Sequence, residues 1–358
     1  MFYREAGQFK TTYGADQAVF PIAQDRWFVA IVAVIAFVVV PLVASEYILQ
    51  AVLIPFLVFA MAAIGLNLLT GYAGQVSLGT GGFMAVGGYM TYKITTNIPD
   101  INIIVVFLIA GLIAAGVGLL FGIPSLRIKG FYLAVATLAA QFFLGWLFNK
   151  VGWFYNDNPS GTITAPPRTL FGVTVTGPEA VAEARYLVSL TIVVVGAMIA
   201  KNLVRGRIGR SWMAVRDMDI AAEIIGIRPY RAKLLAFAVS SFYCGVAGAM
   251  MVFLWLGSAE TLAFDIFVSF NVLFMIIIGG LGSILGSLLG AAFITVMPVA
   301  LTNIPPLLGI EIPIDLQKNI EVILFGSMII FFLIVEPRGF ARLWQITKEK
   351  LRLWPFPY

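Results

Sequence analysis

About ten stretches of this sequence are apolar, long and nearly free of charge, and a lipid bilayer is the solvent that such a pattern fits. Spanning a hydrocarbon core of about 30 Å takes about 20 residues. The runs lie near 27 to 44, 47 to 69, 80 to 94, 103 to 121, 131 to 149, 186 to 204, 234 to 257, 266 to 280, 285 to 303 and 319 to 335. Lipid cannot satisfy backbone N–H and C=O groups, so each run must be helical. Of the 358 residues 60% are hydrophobic and 11% charged, with a mean hydropathy of +0.96; soluble domains carry about 25% charge. The expected fold is an all-α polytopic membrane protein. Because the third and eighth runs are short and glycine-rich, the expected span count is about 8 to 10.

Several chemistries are thin here. Cys244 is the one cysteine and lies inside an apolar run, which reads as a small core residue. Histidine is absent, which removes the commonest metal ligand and the commonest base near neutral pH. Residues 1 to 26 mix Arg4, Lys10 and Arg26 with Glu5, Asp16 and Asp25. They are too long and too mixed in charge for a signal-peptide n-region, so the first span is expected to be retained.

Basic residues mark cytoplasmic loops. One side of the membrane takes Arg4, Lys10, Arg26, Arg127, Lys129, the bases from Lys201 to Lys233, and those after Pro337, while the other keeps Lys93, Lys150, Arg168, Arg185 and Lys318. Both termini are therefore expected in the cytoplasm. The pI of about 9.3 follows from these loops and needs no nucleic-acid partner. Three parts result: an N-terminal segment 1–26, a transmembrane domain 27–341, and a tail 342–358. The domain carries an external loop at 150–185 and a cytoplasmic segment at 205–233. The external loop is rich in Gly, Pro, Asn and Thr, which suits an ordered loop or small lobe. In the cytoplasmic segment Asp219 can cap a short helix over 220 to 225, Gly226 can end it in the left-handed conformation, and Pro229 keeps it from resuming.

One span is interrupted. "GYAGQVSLGTGGF" (71 to 83) carries Gly71, Gly74, Gly79, Gly81 and Gly82, with the polar Gln75, Ser77 and Thr80. Non-helical backbone at membrane depth survives only inside protein or along a wet cavity. The expectation is a break or re-entrant turn, with Gln75 and Ser77 satisfying backbone groups and the glycines admitting neighbouring helices. Tight packing and lining of a path both fit. "GGLGSILGSLLGAAF" (279 to 293) has a similar texture, and spans two to five and seven to ten start on opposite sides, as in an inverted repeat.

Acidic residues near the spans (Glu46, Asp265, Glu321, Glu336) sit at their ends, and the deeper polar residues are amides and hydroxyls such as Asn67, Gln141, Ser240, Ser241 and Asn271. That argues against ion coupling. ATP is the alternative energy source, yet the chain contains no G-x-x-x-x-G-K-[ST] loop. Any ATPase must be a separate chain, and the short cytoplasmic helix is where it would push.

"GLNLLTGYAGQVSLGTGGF" (65 to 83), "AVRDMDIAAEIIGI" (214 to 227), "RAKLLAFAVSSFYCGVAGAM" (231 to 250), "IIGGLGSILGSLLGAAF" (277 to 293) and "EPRGF" (336 to 340) resemble the permease subunits of branched-chain amino acid ABC importers, the M-type subunit most closely. The resemblance runs from about 27 to 341. It implies a bacterial inner-membrane importer for branched-chain or other small apolar amino acids. Its partners would be a second permease, two ATP-binding subunits and a periplasmic substrate-binding protein, with no cofactor on this chain and ATP and Mg held by the partner ATPase. Residues 221 to 227 are similar to the coupling helix of such permeases, so Asp219, Ile220, Ala221, Ala222, Glu223, Ile224, Ile225 and Gly226 are the expected ATPase contact. Related permeases often carry histidine where this chain has Thr80. The outer loop and the link "SAETLAFD" (258 to 265) are the expected docking surface for the binding protein, with Asn158 and Glu260 as probes of it. Two other readings fit parts of the pattern: a urea or short-amide permease of the same class, and a passive channel. An intramembrane enzyme fits poorly, since Asp217 and Asp219 look like helix-start residues.

Overall fold

The computed structural model describes residue 12 and residues 23–126, 132–170, 172–307, 313–336 and 338–353; Arg4, Lys10, Arg127, Lys129 and Pro337 lie outside them. Eight helices among the described residues are long and apolar enough to cross a bilayer, and the protein is an all-α polytopic membrane protein. In chain order the helices are α1 (Arg26–Val43), α2 (Glu46–Tyr72), α3 (Thr80–Asn97), α4 (Ile103–Ser125), α5 (Tyr132–Lys150), α6 (Ala182–Arg205), α7 (Arg207–Asp217), α8 (Asp219–Ile224), α9 (Pro229–Leu256), α10 (Ile266–Gly279), α11 (Ile284–Leu307), α12 (Ile314–Val335) and α13 (Gly339–Leu353). α3 is less apolar because of its glycines, threonines and Lys93.

The chain divides into two compact units, residues 1–45 with 342–358 and residues 46–341. The first span groups with the C-terminal segment in the smaller unit. In the smaller unit, Phe28 and Trp344 stack obliquely with ring centres 5.8 Å apart. In the larger unit, α2 and α9 are the central helices. α2 packs on α6, α10 and α11, and α9 packs on α2, α3 and α4.

Prolines explain two irregular turns. α1 widens to a π-turn over Ile35–Val39 ahead of Pro41, and α2 does so over Leu49–Leu53 ahead of Pro55. A proline ring collides with the carbonyl four residues back and has no N–H to give it, and a widened turn relieves both problems. Two more π-turns lack a proline. They end α2 (Leu68–Tyr72) and α9 (Met251–Leu256), each followed by a left-handed glycine, a stretch outside the α-helix and a new helix.

The 150–185 region folds into a small lobe. It holds a 3-10 turn at Gly152–Tyr155 and strands β1 (Ile163–Thr164), β2 (Arg168–Leu170) and β3 (Val173–Thr176). β2 and β3 form a hairpin, and β1 pairs antiparallel with β4 (Ser258–Ala259) beyond α9. Two bases tie the lobe to α3. Arg168 donates to the carbonyls of Thr95 and Pro99 near the end of α3, and Lys93 Nζ lies 4.3 Å from the centre of the Trp153 ring.

Candidate functional site

Three regions form the candidate site: the helix break, the short helix α8, and the cavity under the lobe.

The break is shorter than the sequence suggests. Irregular backbone covers 74–79, whereas Gly71 lies in the π-turn, and Thr80, Gly81 and Gly82 belong to the first turn of α3. Gly74 has a φ of +68°, a left-handed backbone that a side chain disfavours. Gln75 and Ser77 each bond a backbone group of the break, as expected. Gln75 turns its amide to the adjacent Gly74 carbonyl, and Ser77 reaches only Gly79 N at 3.4 Å. Thr70 Oγ1 donates to the Gln75 carbonyl at 3.1 Å, and further partners come from distant helices. Thr137 Oγ1 of α5 accepts from Leu78 N at 2.9 Å, Ser269 Oγ of α10 accepts from Gly81 N at 2.8 Å, and Gln141 Oε1 of α5 accepts from Gly82 N. Side chains on neighbouring helices thus supplement the break's own. Gly79, Gly81 and Gly82 lie against Thr137, the Phe264 and Asp265 carbonyls, and Gln141 respectively. Thr80 Oγ1 is buried without a hydrogen-bond partner among the described residues.

Two amides act as junctions. Gln141 is 5% exposed and also donates to the Phe264 carbonyl at 2.7 Å, tying α5 and α3 to the link before α10. Asn67, 1% exposed, donates to the Ser283 carbonyl (2.8 Å) and Ser287 Oγ (2.7 Å) and accepts from Gly282 N (2.9 Å). It binds the end of α2 to the 280–283 link between α10 and α11. The sequence reading placed both amides among the deep polar residues without assigning these contacts.

α8 is a single six-residue helix, and two expectations about its ends change. Met218, not Asp219, is the N-cap, and no side chain caps it; Asp219 opens the helix and faces Lys233 Nζ at 3.8 Å. Pro229 stands in the first turn of α9, where its missing N–H costs nothing. The C-terminus closes as a Schellman motif: Gly226, at φ +89°, donates to Glu223 O, and Ile227 N donates to Ala222 O, both at 3.0 Å. Ala222 is buried against the body, and Ala221 and Glu223 are exposed. Ile220, Ile224 and Ile225 are 65%, 82% and 72% exposed. Exposed isoleucines on so short a helix are costly in water and call for a covering surface.

The cavity, about 410 Å³, opens beneath the lobe and is lined among others by Gln141, Trp146, Asn149, Glu260, Phe264 and Asp265. None of residues 71–82 lines it; Gln141 and Phe264 stand between it and the start of α3. Asn158 and Glu260 are both exposed, and the β1–β4 pairing joins the two segments that carry them. Asn158 spends its carboxamide on Ser160 and Thr162 in a local turn.

Arg216 is the residue that the sequence reading passed over. It sits in a segment crowded with bases, where nothing local marks it out, yet its Nη1 donates to the Gly71 carbonyl at 2.7 Å.

A family described as "Branched-chain amino acid transport system / permease component" matches residues 48–333. The chain is 28% identical over 317 residues to the high-affinity branched-chain amino acid transport system permease protein LivM of Escherichia coli K12, covering 83% of this chain and 70% of that one. It is equally similar, at 28% over 317 residues and with the same coverage, to LivM of Salmonella typhimurium LT2. A probable ABC transporter permease protein, y4mJ of Sinorhizobium fredii, is 26% identical over 239 residues, covering 64% of this chain and 66% of that one. No solved structure gives a significant match.

Proposed function

Since the chain belongs to this family of branched-chain amino acid transport permeases, we propose that it is one of two different permeases of an ATP-driven importer in a bacterial inner membrane. The cargo is a branched-chain or other small apolar amino acid, delivered by a periplasmic binding protein. Two separate subunits bind ATP and Mg and drive the cycle. This chain contributes half of the path and the surfaces that meet the other components.

The observation that carries the coupling part of this reading is α8. A partner groove that took Ile220, Ile224 and Ile225, with Glu223 and Asp219 at its rim, would remove about 25 cal/mol of exposure cost per Å² of apolar surface covered. Met218, 65% exposed, extends the same apolar patch. At the opposite end, the lobe and the 258–265 link carry Asn158 and Glu260 and frame the cavity, which supports a docking surface for the binding protein.

Co-purification of the ATP-binding subunits with the wild-type chain and with Glu223→Lys and Ile224→Asp tests the coupling reading, and leucine uptake compared with urea uptake tests the cargo. Insertion of both variants should be normal and ATPase recovery should fall, most in Ile224→Asp. Undiminished recovery in both would remove α8 from the contact, and urea uptake without leucine uptake would overturn the cargo.

A further inference from the structure

Arg216 closes a junction to which the proposed function gives no role. Its Nε and Nη2 hold Asp217 Oδ1 at 2.9 and 2.8 Å, which fixes the guanidinium plane and leaves Nη1 for the Gly71 carbonyl. That carbonyl is available because α2 ends there: Gln75 N bonds back to Leu69 O instead. The arginine stem lies on Gly74, where a Cβ would stand 2.8 Å from Arg216 Cγ, and Nη1 lies 3.6 Å from the equivalent point on Gly282. Gly71 and Gly282 are themselves in contact, with Gly282 N held by Asn67. So one guanidinium sits where the end of α2, the start of the helix break and the 280–283 link converge.

It also sits two residues from α8. Met218 is the single extended residue between α7 and α8, and both helices are bonded through it: Met218 N donates to Ala214 O and Ala222 N to Met218 O. An elbow of one residue pinned on both sides passes a displacement of α8 directly to the last turn of α7, where Arg216 stands. We infer that Arg216 is the positioning residue that carries movement of α8 to the helix break at 74–79 and to the 280–283 link, so that both halves of the permease shift together. The inference rests on α8 being the ATPase contact.

A purely structural cap on α2 would predict something different: loss of Arg216 would loosen the break without changing how much cargo moves per ATP. The two can be separated in the full complex, reconstituted with both permeases, the ATP-binding subunits and the binding protein, by measuring leucine transported per ATP hydrolysed. In Arg216→Gln the ratio should fall on the order of tenfold, the effect expected from losing a charge-assisted hydrogen bond, while the ATPase subunits still co-purify. Arg216→Lys, which keeps a charged donor within reach of Gly71, should restore most of the ratio. Hydrogen exchange at residues 73–79 should rise in Arg216→Gln. If Arg216→Gln does not accumulate, Gly74→Ala takes its place, because the added methyl displaces the arginine stem without altering its chemistry. An unchanged ratio in whichever of these variants is assembled overturns the inference. Failure of the α8 reading shows separately, as undiminished ATPase recovery in Ile224→Asp.

Discussion

The segments 68–82 and 251–266 are two versions of one device. Each begins with a π-turn at the end of a buried central helix, turns at a left-handed glycine (Gly74 at φ +68°, Gly257 at φ +72°), leaves the α-helix for a short stretch, and restarts one. What differs is how the freed backbone is satisfied. The first break is embedded, and Thr137, Gln141, Ser269 and Arg216 reach in from other helices. The second lies beside the lobe, where Ala259 pairs with Ile163 and Ala165 N donates to Gly257 O. It restarts α10 with its own cap, Asp265, whose carboxylate accepts from Ile266 N. The embedded break draws mostly on side chains, whereas the one beside a strand adds backbone pairing to the Gln141 contact at Phe264. The glycines record the same contrast, since Gly74 is pressed by Arg216 and Gly257 faces open space.

The largest effect should come from filling the embedded junction. A Cβ at Gly71 would meet the Gly282 backbone and Asn67 Oδ1, whose carboxamide is held by its own hydrogen bonds. Gly71→Val should cost about 3 kcal/mol or more and prevent recovery of a monodisperse, folded chain. Normal recovery would mean that the junction is looser than its contacts imply.

Next are the two amide junctions. Asn67→Leu and Gln141→Leu each leave buried N–H groups, of Gly282 and Gly82 respectively, without a partner. Each should lower the thermal unfolding midpoint in detergent by an amount corresponding to about 1 to 3 kcal/mol. An effect below about 0.5 kcal/mol in both would show that water satisfies the break, which would erase its contrast with the second one.

The matched pair Gly74→Ala and Gly257→Ala is the direct comparison. Both meet the left-handed penalty of about 1 to 2 kcal/mol, but only the first adds a collision, with the Arg216 stem. Gly74→Ala should therefore be the more destabilising, and equal unfolding midpoints would break the comparison.

The smallest effect belongs to the self-capped restart. Asp265→Ala removes one side-chain cap from α10 and should cost about 1 kcal/mol, while Asp265→Asn, which still accepts from Ile266 N, should stay close to wild type. Equal losses in the two would assign Asp265 a role that depends on its charge.

Most of the fold was legible in the sequence because spans are a matter of length and apolarity, and those are local. α8 was legible too, to within one residue, because Gly226 acts on its own backbone. The cap was misassigned to Asp219: Met218 takes the extended conformation, and Asp219 turns towards Lys233 instead. In the break, the glycines marked the place and Gln75 and Ser77 each bond a backbone group within it, but the partners Thr137, Gln141 and Ser269 were not marked. Proximity in sequence points to the local pair, whereas nothing near the break in sequence points to side chains 59 and 188 residues away.

The sequence by itself determined that this chain lives in a membrane, roughly where it crosses, where one crossing is interrupted, and that a short helix stands among the basic residues. Hydropathy and the conformational limits of glycine and proline need no distant neighbour to act. Only the tertiary structure decided that Asn67 holds Gly282, that Arg216 holds Gly71, and that the lobe pairs with the second break. These partners lie 215 and 145 residues apart in the first two cases. A polar group freed at membrane depth must be satisfied by something, and any of many amides, hydroxyls or guanidinium groups would serve chemically. Which of them does so is settled by how the helices pack.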